Sequence, residues 1–358
     1  MDGREIIARR LRNQRLTGEP LPDPVAVVRW LGAVQAQEYA VAKWSVAQRS
    51  SGVDEAAMQD AVDSGRIVRV HALRPTWHFV AAEDLVWLQA VTAPRVHQLN
   101  AYYYRRLGVD EATTEKTRPL LRDILGGGNH LTRPELGRAL AAAGIPDPTG
   151  NRLAYLVMDA ELESLVCNGP MRGRQHTYAL VSERVRETAG RSPDDGLTEL
   201  TRRYFTSHGP ATAKDFAWWS SLPTAQIRRG IALAGDALTT VSRNGTTFWY
   251  APADPPEPVP SPDAHVLQGY DEYIVGYTES RTLANLDGVD LGVTSLNLLI
   301  HPLIIDGQLI GSWRRTSTAK QITASLSLAV RLTAAQRDAV DAAFDRYAAY
   351  AGVPVVVE

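Results

Sequence analysis

The chain has 358 residues, 44% hydrophobic and 22% charged, with a formal net charge of −2; that balance fits a folded protein of several modules with a buried core. No apolar run approaches the length of a membrane span. The opening MDGREIIARRLRNQRL lacks a signal-peptide core, and the lone Cys167 excludes a disulfide framework and cysteine-cluster metal sites. The expectation is a cytoplasmic protein. Four lysines among 38 basic residues leave 34 arginines, which favours planar, bidentate phosphate contacts; net charge alone reveals no basic face.

The first informative stretch follows an apolar helical run, VAVVRWLGA, and reads VQAQEYA (34–40). Gln35 and Gln37 each offer one acceptor and two donors. On a regular helix, positions two apart lie about 200° apart, so the pair can cooperate only where the helix ends or the backbone is extended. Surface decoration and a water-positioning pair both remain open on the residues alone.

DEAAMQDAVDSG then predicts a helix with Ala57, Met58, Ala61 and Val62 inward, before a hairpin, RIVRVHALRPTWHFVA (66–81). A second set follows: TEKTRPLLRDILGGG and LTRPELGRALAAAG, with Pro134 in its first turn, then a helix over 151–164 and a hairpin, LVCNGPMRGRQHTYAL (165–180). The third set is the clearest. LTELTRRYFTSHGP, TAKDFAWWSSL and LPTAQIRRGIALA predict three helices, the second opening at Thr212 with Asp215 as a capping box, and LTTVSRNGTTFWYAP turns at Asn244-Gly245. Helix, helix, helix and two-stranded wing is the winged helix–turn–helix order, repeated three times. The aromatic pair Trp218–Trp219 is expected in the third core.

The Pro-rich stretch 251–264 reads as a stiff crossing. Beyond it, HVLQGYDEYIVGY, NLLIHPLIIDGQLIGSWRR with a turn at 306–307, and TASLSLAVRL predict strands, closed by the helix TAAQRDAVDAAFDRYAAYAG. Asp271 and Glu272 read as a local acid pair on opposite faces of a strand. The expected fold is α+β: winged-helix units over 1–92, 93–190 and 191–255, and a β-rich region over 256–358.

Several chemistries drop out. The eight histidines show no HExxH and no ligand-spaced His/Cys pair, so neither a metal nor a cofactor is expected. There is no phosphate-binding GxxxxGK[ST], no GxGxxG opening a helix and no GxSxG elbow; ILGGGNH leads out of a helix and reads as a C-cap loop. What remains is a DNA-binding scaffold whose wings carry Arg74, Arg172, Arg174 and Arg243, with Arg314 and Arg315 just past a strand and Trp77 beside the first turn. Wing arginines reach phosphates or the minor groove, and the same residues also suit solvated hairpin tips.

GAVQAQEYAVAKWSVAQR, RVHALRPTWHFV, TAKDFAWWSSL, YDEYIVGY and HPLIIDGQLIGSWRR, in this order, resemble the AlkZ-type DNA glycosylases, the bacterial winged-helix family that includes the YcaQ group. The resemblance implies tandem winged-helix units in a C shape around double-stranded DNA and excision of bulky N7-alkylated guanines, including crosslinks. It places catalysis on Gln35 and Gln37, because the family's motif is QxQ or QxD; glutamine at the second position is similar to the branch associated with self-protection against genotoxic natural products. The reading is a monofunctional, metal-independent glycosylase acting as a monomer, with Arg74, Trp77, Arg172, Arg174, Arg243, Arg314 and Arg315 as candidate DNA contacts; bulky adducts do not fit a snug flipping pocket, and the LRPTWHF hairpin is one candidate for an element inserted at the lesion. The amide pair would leave the site neutral. The competing readings are a noncatalytic winged-helix regulator and a protein that shields lesions without cutting, although three units in one chain suit a single enclosing molecule better than a dimeric regulator.

Overall fold

A computed structural model describes residues 1–185, 190–254, 257, 259–290 and 301–358. Helix α1 (Gly3–Asn13) comes first, capped reciprocally by Asp2 and Glu5. Its Arg10 is almost fully buried and donates to the Pro210 and Ser280 carbonyls, tying the N-terminus to residues some 200 and 270 positions away.

The first winged-helix unit comprises α2 (Pro24–Leu31), β1 (Val34–Gln35), α3 (Tyr39–Ala47), α4 (Glu55–Asp63), β2 (Ile67–His71) and β3 (Trp77–Ala81), its sheet ordered β1-β3-β2. Asp23 caps α2 and Pro24 occupies its first turn; Gly32 ends it at φ +83°, a conformation that glycine adopts without strain. Met58, Ala61 and Val62 face inward on α4, whereas Ala57 is exposed.

Helix α5 (Leu85–Leu107) runs straight through the boundary expected at 92. The second unit repeats the plan with α6 (Glu111–Leu125), β4 (Leu131–Thr132), α7 (Arg133–Ala142), α8 (Gly150–Leu162), β5 (Val166–Asn168) and β6 (Thr177–Leu180), ordered β4-β6-β5. The glycine run after α6 is a loop whose Gly127 and Gly128 N–H groups donate to Glu183, on the short α9 (Val181–Arg184). The third unit has α10 (Pro193–Ser207), α11 (Ala213–Ser220), α12 (Thr224–Ala234), β7 (Thr239–Arg243) and β8 (Thr246–Tyr250). Here a single bridge, Ala211 to Trp249, stands where β1 and β4 stand in the other units. The Thr212–Asp215 capping box and the Asn244-Gly245 turn both form as expected.

The C-terminal region contributes β9 (Ala264–Val266), α13 (Glu272–Val275), β10 (His301–Ile305), β11 (Gln308–Ser317), β12 (Ile322–Leu328), α14 (Ala334–Ala351) and β13 (Val355–Val357). Their sheet runs β13-β12-β11-β10-β9, with β13 parallel to β12. Residues 297–300 of the expected strand, and 255, 256 and 258 of the Pro-rich stretch, lie outside the described residues.

Two expectations are corrected. YDEY is not a strand: Asp271 accepts from the Tyr273 N–H and caps the one-turn helix α13. The tryptophan pair splits, with Trp219 fully buried and Trp218 42% exposed, because neighbouring helical positions point about 100° apart.

One apolar core is shared between α2–α4 and the C-terminal sheet with α14, around Trp313, Phe344 and Tyr347. Another joins the β2–β3 hairpin to α10–α12, and a third belongs to the second unit. The first unit is therefore packed on both sides, and its strand β1 lies where the cores meet.

Candidate active site at Gln35 and Gln37

With α2 ended at Leu31 and capped at Gly32, residues 34–37 leave the helix, and Val34–Gln35 pair antiparallel with His78–Phe79. The helix ends before the pair, so Gln35 and Gln37 meet the condition their spacing imposed: Gln35 closes the two-residue strand and Gln37 lies in the bend that follows. One edge of this strand is the sheet ladder, continued by the Ala36 N–H donating to the Trp77 carbonyl at 2.7 Å. The other edge would leave buried backbone groups without partners, a costly state. Residues from the C-terminal region satisfy them: Glu272 Oε1 accepts from the Gln35 N–H at 2.9 Å, and Gln268 Nε2 donates to the Gln35 carbonyl at 3.1 Å.

The side-chain amides are fixed from the first wing. Arg74 Nη2 donates to Gln35 Oε1 at 2.6 Å, and the Trp77 N–H donates to Gln37 Oε1 at 3.2 Å. Both amide nitrogens are without a partner among the described residues. Gln35 is 4% exposed, while Gln37 is open to solvent. One amide is embedded and one faces out.

Three ionisable groups surround the pair. Burial lowers the Arg74 pKa, with the nearby Glu272 opposing. Burial, aided by the Arg74 charge, holds His78 well below the ordinary imidazole range, against the opposing Thr76 carbonyl. His78 is therefore neutral near pH 7; its Nδ1–H donates to that carbonyl, and its buried Nε2 is left as an acceptor without a partner among the described residues. As the cross-strand neighbour of Gln35, it lies on the same face of the sheet. Glu272 is fully buried, accepting also from Trp219 Nε1–H at 2.8 Å, with His208 Nε2 at 3.3 Å. The amides alone suggested a site without charge, and the structure sets a carboxylate directly behind one of them.

Asp271 does separate work. Burial pushes its carboxyl up, and the Arg49 guanidinium with the Ser45 hydroxyl more than reverses this, leaving it below the ordinary value. Arg49 also donates to the Gln14 and Ser45 carbonyls, so this pair locks α3 to α13. Glu38, at the N-cap of α3, makes no cap bond and instead meets His301 Nε2 at 2.9 Å.

A family model for AlkZ-like DNA glycosylases matches residues 28–350. The chain belongs to that family. An interstrand DNA cross-link repair glycosylase from Streptomyces sahachiroi is 24% identical over 323 residues, 87% of each chain. The solved structure of the S. sahachiroi DNA glycosylase AlkZ superposes with a TM-score of 0.80 over the whole of both chains at 22% identity. That likeness carries the fold, including the tandem winged helices.

Within this AlkZ-like scaffold the residues singled out from the sequence divide into groups. Gln35, Gln37, Arg74 and Trp77 come together. Arg74 is turned into the protein; beside it Leu73, at φ +59°, is fully buried in the core shared with the third unit, and Pro75 is the exposed residue of the turn. Trp77 is half-buried, its ring 3.9 Å from that of His71 and 4.3 Å from the Arg69 guanidinium. The other arginines lie on other elements. Arg172 is exposed but paired with Glu135 at 2.8 Å, and half-buried Arg243 packs by Gly3 at the start of α1. Arg315 donates to Tyr347 and Ser317. Arg174 and Arg314 are exposed with no partner among the described residues.

Sequence reasoning missed Glu272 and Gln268 as neighbours of Gln35. No local signal could have found them, since they lie 237 and 233 positions away. It also passed over Arg69, whose Nε–H donates at 3.0 Å to the carbonyl of Ala36, the residue between the glutamines.

Proposed function

We propose that this glycosylase hydrolyses the N-glycosidic bond of N7-alkylated guanine in duplex DNA, bulky adducts and interstrand crosslinks included, with Gln35 and Gln37 holding the attacking water. N7-alkylation gives the base a positive charge, so it departs as a neutral purine and needs no protein acid, unlike an ordinary glycoside. The C1′–N9 bond breaks, taking its electron pair to the base; water oxygen bonds to C1′ and its surplus proton passes to solvent, leaving an abasic sugar. The protein must place that water and steady the cationic sugar. Well-oriented placement supplies several kcal/mol, up to roughly 7–11 in the best intramolecular cases.

The observation that carries this reading is the pinned pair: two amides two residues apart where the chain leaves α2, their oxygens held by Arg74 and the Trp77 N–H. Each oxygen keeps a second lone pair, and each nitrogen keeps its donors, so a water between them has groups for both its hydrogens and its oxygen. Glu272 behind Gln35 adds negative charge where positive charge grows on the sugar. The name of the S. sahachiroi relative, a cross-link repair glycosylase, supports crosslinks as substrates. Self-resistance to a genotoxic natural product is the setting proposed for a QxQ enzyme, which would act as a cytoplasmic monomer on duplex DNA contacted by Arg172, Arg174, Arg243, Arg314 and Arg315.

Incubation of a duplex containing 7-methylguanine or a guanine crosslink, followed by alkaline cleavage, tests the proposal. The wild type is expected to generate alkali-labile sites, and Gln37→Ala to bind the duplex without generating them. Tight binding by the wild type with no abasic sites on any lesion would overturn it.

A further inference from the structure

Beside the glutamine pair, a cavity opens between the first wing and the second unit, lined by Arg69, Trp77, Arg133, Asn168, Gln175 and His176 among others, with no acid among the described residues of its lining. Arg69 is 7% exposed. Its Nε–H is used by the Ala36 carbonyl, and its guanidinium lies 4.3 Å over the Trp77 ring. No carboxylate stands within ion-pair distance among the described residues, and Nη1 and Nη2 have no partner there. The acid whose field reaches it, Glu161, is taken by His71 at 2.5 Å. The aromatic ring stabilises the cation but accepts none of its remaining N–H groups. A nearly buried guanidinium without a counter-ion costs stability, and the protein retains it one residue from Gln35 and Gln37.

The rest of the cavity has the same sign. The exposed Arg133 and the first turn of α7, capped by Thr132, border it, and a helix N-terminus favours anions. The nearest capping acid, Glu135, is held by Thr132 and Arg172. Burial, then the Arg69 and Lys43 charges, draws His176 down to about 4, so it adds a neutral ring.

We propose that Arg69 holds a backbone phosphodiester flanking the nucleotide that is cut, using its two free amino groups as a fork, and so sets the deoxyribose against Gln35 and Gln37. A phosphodiester offers paired oxygens at the spacing a guanidinium fork matches. The assignment rests on the reading that the glutamine pair acts on a nucleotide.

The test measures binding to a duplex bearing a tetrahydrofuran abasic analogue, with neutral methylphosphonates replacing single phosphates on either side of it. For the wild type, one position is expected to weaken binding by roughly tenfold, the scale of a charge-assisted contact. In Arg69→Gln, binding to the unmodified duplex weakens by a similar factor, the slope of log K against log salt falls by about one, and that methylphosphonate has no further effect. Arg69→Lys, which keeps the charge, is expected to restore the salt slope; thermal melting checks that both variants are folded. A folded Arg69→Gln that keeps the full methylphosphonate penalty at every position overturns the assignment. Because the analogue cannot be cut, the result is independent of excision: coupling without excision supports the phosphate site and sinks the proposed activity, and excision without coupling does the reverse.

Discussion

Glu272→Gln separates the charge behind Gln35 from the shape that holds it. The substitution preserves volume and removes one negative charge from a fully buried position. Glu272 receives the Gln35 N–H on one oxygen and the Trp219 N–H on the other. A glutamine can present an oxygen to one of these donors only, and its NH₂ then confronts the other. A buried donor left unsatisfied costs about 1–3 kcal/mol, expected as a drop of a few degrees in melting temperature. The catalytic effect is distinct. For unit charges separated by roughly 8 Å at an effective dielectric of about 20, the lost attraction is about 2 kcal/mol, or roughly thirtyfold in rate. Arg74, the opposing charge near the pair, offsets part of this, so a ten- to thirtyfold loss is expected, on the order of 1.4–2 kcal/mol. The assay is single-turnover excision of 7-methylguanine at saturating enzyme, where binding no longer limits the rate. A folded variant within twofold of the wild-type rate would refute the electrostatic role and reduce Glu272 to a strand anchor.

Arg74→Met should free the Gln35 oxygen and slow excision by about tenfold or more, the value of a charge-assisted hydrogen bond, while binding to undamaged duplex changes less than twofold; equal losses would make Arg74 a phosphate contact. Asp271→Asn leaves the fully buried Arg49 poorly compensated, and chemical denaturation should show a loss of about 3–5 kcal/mol. Trp313→Ala empties the core shared by the first unit and the C-terminal sheet, for about 3–5 kcal/mol, and a variant as stable as wild type would show that the two regions do not share a core. Acidification should also destabilise the protein. His78 and His176 have folded pKa values below 6.5, so the unfolded chain binds more protons once the pH falls below about 6.5, and stability drops toward pH 4. His176→Gln should flatten that slope in melting curves recorded between pH 7 and 4, its half-exposed ring contributing less than His78; an unchanged slope would mean that His176 titrates alike in both states.

The repeat of three helices and a wing was legible because each mark is local: Thr212 three residues before Asp215, Pro134 in a first turn, and Asn-Gly between alternating strands. Gln35 and Gln37 were legible as residues. Their geometry was not, since it turned on whether α2 stops at Gly32, which a helical pattern marks only to within a few residues. YDEY failed as a strand for a related reason. Its surroundings are apolar and strand-like, but Asp271 satisfies the Tyr273 N–H and starts a helical turn, and the burial of both acids comes from partners over 200 positions away in the case of Arg49 and Gln35.

By itself, then, the sequence determined where the helices begin, how the wings turn and which short motif carries the unusual amides, because caps, turns and periodicity act over three or four residues. Only the tertiary structure decided what surrounds that motif: Arg74 folded inward instead of outward, Glu272 and Gln268 closing the free edge of a two-residue strand, and Arg69 beside it without a counter-ion among the described residues. An edge strand must find partners for its backbone groups wherever packing delivers them, and which distant segment supplies them depends on how separate cores come together.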